Sequence, residues 1–144
     1  MNAVDTNILI YIHDPRDPIK QEKAERLVAS LTDGVLLWQV ACEFVAASRK
    51  LAAFGFTVDQ AWREVKKARS LWTTKLPDWR VAERAEELMK QFSFSFWDAM
   101  IVAACLEAGV SRLYSEDFDD SVAATGLAVI DPFSDVKPDE HEQV

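Results

Sequence analysis

The sequence predicts an α/β domain with a parallel β-sheet between layers of helices. Short apolar segments alternate with longer segments of helical periodicity, which is the pattern of strands joined by crossover helices. The chain of 144 residues has the length of one domain, and its 49% of hydrophobic residues suffice for a core. We expect the domain to span residues 1–133 and an acidic tail to follow over residues 134–144.

Five short apolar runs between turn residues are the expected strands: residues 2–5, 35–38, 72–76, 112–115 and 127–130. Six amphipathic or strongly apolar segments are the expected helices: residues 7–12, 18–32, 39–53, 58–71, 78–91 and 97–108. Asp17 suits the cap of the second helix, and Thr57 with Gln60 forms a capping box before the fourth. The buried stripe of the fifth helix is expected to contain Val81, Ala82, Ala85, Leu88 and Met89.

Composition argues against several classes of protein. No apolar run approaches the roughly 20 residues of a membrane helix, and no signal segment precedes Asp5, so we expect a cytoplasmic protein. The formal charge of −8 disfavours bulk electrostatic binding of nucleic acid but fits a partner with a basic segment. We expect Cys42 and Cys105 to be buried, reduced thiols. His13 and His141 are too few for a zinc site or a histidine-based triad.

Four carboxylates stand in apolar surroundings: Asp5, Glu43, Asp98 and Asp117. Asp5 follows the first strand and Asp117 the fourth, so both should lie at the carboxyl edge of the sheet, where open parallel sheets bind ligands. A lone buried carboxylate such as Glu43 costs several kcal/mol unless something compensates it. A hard cation, Mg²⁺ or Mn²⁺, would compensate such a cluster and could activate water for phosphodiester hydrolysis.

Three of the four carboxylates also have a structural interpretation. Asp5 suits a helix cap, Glu43 suits a solvent-facing rim, and Asp98 completes the capping-box pattern that begins at Ser95. Ser115 is a candidate for orienting a carboxylate or a water, although a hydroxyl there also suits a simple turn. Taken alone, Asp5, Glu43 and Asp98 can each be explained by a structural role. The functional hypothesis depends on the carboxylates coming together in one site.

The chain resembles the PIN-domain family in four elements and their order: Val4-Asp5-Thr6-Asn7-Ile8-Leu9, Glu43, Phe96-Trp97-Asp98-Ala99 and Tyr114-Ser115-Glu116-Asp117. Within that family it is most similar to the toxin ribonucleases of VapBC toxin–antitoxin pairs. The resemblance spans residues 2–133 and implies a three-layer domain whose five-stranded parallel sheet has the strand order 3-2-1-4-5. It also implies an endoribonuclease that depends on Mg²⁺ or Mn²⁺.

Site residues follow from the resemblance by position. It implies that Asp5, Glu43, Asp98 and Asp117 are the catalytic and metal-binding acids, with Asn7 and Ser115 in supporting roles. The glycine that is common shortly after the family's fourth acid is absent, and Ser121 and Val122 stand in that region. Glu116 therefore remains an alternative to Asp117.

The resemblance implies three partners: an RNA substrate, a second copy of the chain and an antitoxin whose C-terminal segment covers the toxin's site. Phe54, Phe56 and Trp62 are candidate groove residues for the antitoxin, although each aromatic taken alone suits the core better. Five basic residues suit either RNA phosphates or solvated helix faces: Arg49, Lys50, Arg63, Lys66 and Lys67.

Other functions compete with the nuclease. A non-catalytic module that binds nucleic acid or protein could use the same fold, but the presence of all four acids argues against it. A phosphatase with an aspartyl nucleophile wants a second Asp two positions after the first, where this chain has Asn7. A response-regulator receiver needs an acidic pair after the first strand and a late lysine, and neither is visible.

Overall fold

The structure, a computed structural model, describes residues 1–135. Five strands form one sheet in the order β3-β2-β1-β4-β5, and every neighbouring pair is parallel. The strands are β1 (Asn2–Val4), β2 (Gly34–Leu37), β3 (Thr73–Lys75), β4 (Arg112–Tyr114) and β5 (Ala128–Ile130). The predicted fold class and strand order are confirmed. The predicted tail lies outside the described residues except for Ser134 and Asp135.

Six α-helices connect the strands: α1 (Thr6–Ile12), α2 (Pro18–Ser30), α3 (Trp38–Ala47), α4 (Val58–Leu71), α5 (Trp79–Gln91) and α6 (Phe96–Glu107). The predicted Asp17 cap and the Thr57–Gln60 capping box are both present. The predicted helix over residues 39–53 is wrong in its second half, where a 3₁₀ helix runs over Ser48–Phe54. Within residues 1–135 we find no helix with the length and hydrophobicity of a membrane span.

The core lies on both faces of the sheet because successive strand residues point to opposite sides. Ala3, Val35 and Leu37 pack on one face against α5 and α6. Val4 and Leu36 pack on the other face among residues of α1 and α2. The sheet is therefore covered on both sides, and its carboxyl edge is the part that remains open for a site.

Several expectations about burial are wrong. Cys42 is exposed, because the buried face of α3 is occupied by Val40 and Phe44. Met89 is 43% exposed at the outer margin of the α5 stripe. Phe54 and Trp62, which taken alone suited the core, are about half exposed. Trp62 is exposed because Ala61 and Val65 form the inner face of α4. Large apolar side chains on the 3₁₀ helix and on α4 are thus available to other molecules.

Gly34 allows β2 to pass close to a buried tryptophan. A Cβ at this position would lie 2.6 Å from Cδ1 of Trp72, which is only 9% exposed. Gly34→Ala should therefore lower the free energy of unfolding by about 1–3 kcal/mol, measured by urea denaturation. In a Trp72→Leu background the same change should be less destabilising, since the smaller side chain leaves room. Equal effects in both backgrounds would contradict this steric explanation.

Candidate active site

The strand order places the ends of β1 and β4 side by side. Val4 pairs with Tyr114, and the Asp5 amide donates to the Tyr114 carbonyl at 2.9 Å. Asp5 begins the turn into α1, and Ser115 begins the loop after β4. The fold thus brings residues about 110 positions apart to one edge of the sheet. They meet between β1 and β4, where the strand order reverses and open parallel sheets bind ligands.

Ser115 is the centre of a hydrogen-bond network at this edge. Its Oγ donates to Oδ2 of Asp5 at 2.8 Å and accepts from Nδ2 of Asn7 at 3.2 Å. It also accepts from the Asp117 amide at 3.1 Å, while Asn7 Nδ2 donates to Oδ2 of Asp117 at 2.9 Å. Ser115 is 1% exposed, so this hydroxyl is fixed inside the protein. Asp5 and Asp117 are therefore held by shared partners.

Asp5 also acts as the N-cap of α1, through the 2.7 Å bond from the Thr6 amide to its Oδ1. The capping and functional interpretations of Asp5 are thus compatible, because each uses a different carboxylate oxygen.

Glu43 reaches the same region from α3. Thr6 Oγ1 donates to its Oε2 at 2.8 Å, and Gln39 Nε2 donates to its Oε1 at 2.8 Å. Gln39 Nε2 also donates to the Trp97 carbonyl at 3.2 Å, so it connects Glu43 to the start of α6. Sequence reasoning missed Thr6 and Gln39. The spacing of Gln39 and Glu43 was an available signal, since residues i and i+4 share one face of a helix.

Asp98 stands in the first turn of α6, where its amide donates to Ser95 Oγ at 3.2 Å. Its half-buried carboxylate makes no hydrogen bond or ion pair within residues 1–135. The contact between Gln39 and Trp97 brings this helix terminus beside Glu43. Asp98 is therefore the acid whose link to the other three is least direct.

Glu116 and Asp117 point to different partners. Glu116 accepts from Tyr11 OH at 2.5 Å and from Lys20 Nζ at 2.9 Å. Asp117 instead shares Asn7 and Ser115 with Asp5. Of the two alternatives, Asp117 is the one that lies in the network with Asp5.

Burial raises the pKa of Asp5 from its ordinary 3.8 to about 6. The hydrogen bonds from Ser115 and the Thr6 amide lower the pKa, whereas the negative charges of Asp117 and Glu43 raise it further. Asp117 and Glu43 are thus close enough to disfavour the ionisation of Asp5. A cation at this edge would relieve both the desolvation and the repulsion.

The donor atoms at this edge suit a hard cation. Within residues 1–135, Oδ1 of Asn7 is buried and accepts no hydrogen bond, while Nδ2 of Asn7 donates to both Ser115 and Asp117. An amide oxygen and carboxylates are the ligands that Mg²⁺ and Mn²⁺ prefer. Within residues 1–135 no three His, Cys, Asp or Glu side chains are grouped closely enough to hold one ion together. The residue types therefore suit Mg²⁺ or Mn²⁺, but they lie farther apart than the ligands of a closed coordination sphere.

The five basic residues named above lie on exposed positions of the 3₁₀ helix and α4. In the described part of the chain none of them forms a hydrogen bond or ion pair with Asp5, Glu43 or Asp117. The structure thus shows these basic side chains at the surface, with no direct bond to those three acids in the described part of the chain.

The family model for the PIN domain matches residues 3–125. The chain belongs to the PIN-domain family. The family predicted from the four acidic elements is confirmed, together with its fold. None of the curated protein sequences matches the chain.

Solved structures share this PIN fold over nearly their whole length. A toxin–antitoxin complex from Klebsiella pneumoniae has a TM-score of 0.68 at 22% identity, covering 92% of this chain and 98% of that one. VapC20 from Mycobacterium tuberculosis, a toxin that cleaves the sarcin–ricin loop, has a TM-score of 0.67 at 20% identity, covering 89% and 97%. VapBC-1 from nontypeable Haemophilus influenzae has a TM-score of 0.62 at 21% identity, covering 92% and 98%.

Proposed function

We propose that this PIN domain is a metal-dependent endoribonuclease, the cytoplasmic toxin of a type II toxin–antitoxin pair. The proposal depends above all on the network in which Ser115 joins Asp5 to Asn7 and Asp117 at the carboxyl edge of the sheet. The similarity to VapC20, a toxin described as cleaving the sarcin–ricin loop, supports RNA as the substrate. The reaction is hydrolysis of a phosphodiester bond by water.

In this proposal Asp5, Glu43, Asp98 and Asp117 would hold Mg²⁺ or Mn²⁺, with Asn7 Oδ1 as a further donor. A bound ion would supply activation of water and neutralisation of charge on the phosphate. The chain's own contribution is orientation. Ser115 and the Thr6 amide fix the carboxylate of Asp5, and Asn7 fixes Asp117. Such preorganised acids need little rearrangement during the reaction.

Glu43 is oriented by two donors from different helices, Thr6 on α1 and Gln39 on α3. Both of its oxygens accept hydrogen bonds from neutral groups, and among the described residues no cation pairs with its negative charge. We propose that this charge acts on the same ion as Asp5. Thr6 and Gln39 are then the residues that keep Glu43 aimed at the edge of the sheet.

For the RNA we propose contacts between phosphates and the basic residues of the 3₁₀ helix and α4: Arg49, Lys50, Arg63, Lys66 and Lys67. These side chains are exposed, and phosphate contacts need only charge and reach. They would offset the net charge of −8 that otherwise repels the substrate.

A cleft of about 740 Å³ suits the antitoxin segment. It runs between α2 and α4 and has an apolar floor that includes Val28, Leu36 and Trp72. Three acids, Glu25, Asp33 and Glu64, line it beside one lysine, Lys67, which fits a partner segment with apolar anchors and basic flanks. Phe54, Phe56 and Trp62, the groove residues predicted from the sequence, do not line this cleft. Because of its apolar floor and acidic lining, we propose the cleft rather than those three residues as the antitoxin's binding surface.

A separate apolar surface suits a second copy of the chain. It comprises Trp38, Leu76 and Trp97, which line one surface pocket and are 49–69% exposed. Contiguous exposed tryptophans are rare on the surface of a monomer and are typical of an interface. We propose that this tryptophan surface is the homodimer contact.

The test is cleavage of defined single-stranded RNAs by purified protein in Mn²⁺. Cleavage is expected with Mn²⁺ and none with EDTA, since the acids act through an ion. Intact RNA after incubation with folded, antitoxin-free protein, across several sequences, would contradict the nuclease. That outcome would favour the non-catalytic binding module, for which the exposed tryptophan surface is the supporting observation.

A further inference from the structure

The loop that carries Asp117 is attached to the protein on two opposite sides. On the inner side Ser115 and Asp117 bind Asp5 and Asn7. On the outer side the carboxylate of Glu116 accepts from Tyr11 OH at 2.5 Å and from Lys20 Nζ at 2.9 Å. Both of these donors come from outside the loop, Tyr11 from α1 and Lys20 from α2.

The outer attachment is partly buried. The side chains of Lys20 and Glu116 are 24% and 21% exposed, well below the exposure of an ordinary surface ion pair. Lys20 Nζ lies 4.9 Å from the centre of the Tyr11 ring and 5.4 Å from that of Phe133. The two rings meet edge to face at 5.1 Å, and Phe133 is 4% exposed. A packed aromatic pair thus holds the ammonium group in place.

Successive residues of the loop therefore alternate in direction. Glu116 is the middle residue, and among residues 1–135 it is the acid of this loop that pairs with a cation. Tyr11 lies one helical turn after Asn7 on α1, so the same helix binds both sides of the loop. The direction of Glu116 and the direction of Asp117 are coupled through a single peptide unit.

We propose that Lys20 and Tyr11 are positioning residues for Asp117. By holding Glu116 outward they keep a fifth carboxylate away from the acidic edge and keep Asp117 against Asn7 and Ser115. The effect on metal binding rests on the proposed function, whereas the effect on the loop does not. Removing Lys20 leaves Glu116 partly buried with only the Tyr11 hydroxyl as partner and no cation, a state that a carboxylate relieves by turning toward water or toward another cation.

Amide hydrogen exchange in the metal-free protein tests the loop directly. The Asp117 amide donates to Ser115 Oγ, and its exchange reports that contact. In Lys20→Met this amide should exchange about tenfold faster, while the Asp5 amide, which donates to Tyr114, keeps its rate. Lys23→Met is the matched control, because Lys23 lies on the same helix and pairs with Asp135 instead. Unchanged exchange at Asp117 in Lys20→Met would overturn the proposal.

Mn²⁺ titration by calorimetry supplies a second readout. Loss of a group that orients a metal ligand typically weakens metal affinity about 10- to 100-fold, so we expect such a loss in Lys20→Met. Lys20→Arg should restore most of the affinity, and Lys23→Met should keep it. Wild-type affinity in a folded Lys20→Met would overturn the role in metal binding.

Tyr11→Phe keeps the ring packing and removes only the hydroxyl. It should accelerate Asp117 exchange severalfold, and it decides the question if Lys20→Met does not fold. Wild-type exchange in that variant would then overturn the proposal. A wild-type protein that takes up no Mn²⁺ would contradict the proposed function, while the exchange experiment would still decide the positioning role.

Discussion

Asp5→Asn is expected to reduce the rate of RNA cleavage by roughly 10³-fold, the order of loss when a preorganised charged group is removed from an active site. The substitution keeps the size of the side chain and an oxygen for the Thr6 amide, but removes its negative charge. The loss should appear in kcat rather than in KM, since Asp5 is 5% exposed and lies at the edge of the sheet rather than among the exposed basic residues. Single-turnover cleavage of a labelled RNA in Mn²⁺ measures it.

Asp120→Asn is the matched control for this experiment. Asp120 is an exposed acid at the start of a second 3₁₀ helix, Asp120–Thr125, and within residues 1–135 it makes no contact with the network around Ser115. The same removal of one charge should leave cleavage within about twofold of wild type. Equal activity in Asp5→Asn and wild type would mean that the acidic edge is not the catalytic site.

The sequence predicted features that depend on local pattern. The Asp17 cap and the capping box at Thr57 both follow from residues close to one another in the chain. The position of Asp5 after a buried strand and of Asp117 after another was enough to place both at one edge of the sheet. The proximity of Asp5 and Asp117 therefore follows from the positions of β1 and β4 in the sheet, without knowledge of individual side-chain contacts.

Features that depend on long-range contacts could not be predicted in this way. Thr6 meets Glu43 across 37 positions, and Lys20 meets Glu116 across 96. No periodicity connects such residues, so the partners of the acids stayed hidden although the acids themselves were identified. The exposure of Trp62 has the same origin, since the tertiary fold selected Ala61 and Val65 as the inner face of α4.

Without metal, Asp5→Asn is also expected to stabilise the folded protein, and the effect should depend on pH. The folded pKa of Asp5 is about 6, above its ordinary 3.8, so the ionised carboxylate opposes folding. Below pH 4 the group is protonated in both states and the substitution should change little. The difference should grow between pH 4 and pH 6 and be complete above pH 6. Since one pKa unit corresponds to about 1.4 kcal/mol, the variant should gain roughly 3 kcal/mol at pH 8.

Urea denaturation in EDTA at pH 3.5 and pH 8 measures this gain, and the comparison of variant with wild type isolates Asp5 from other titrating groups. A variant less stable than wild type at pH 8 would contradict it, because the bonds from Ser115 and Thr6 would then outweigh desolvation.

Adding Mn²⁺ at pH 8 should reverse the order of stability. Binding to the folded state alone stabilises the wild type by mass action, whereas the variant has lost the charge that attracts the ion. The buried position that makes Asp5 unfavourable in the free protein is then the property that makes it a strong ligand. A carboxylate whose ionisation opposes folding without a cation and supports folding with one is placed for binding that cation rather than for holding the fold together.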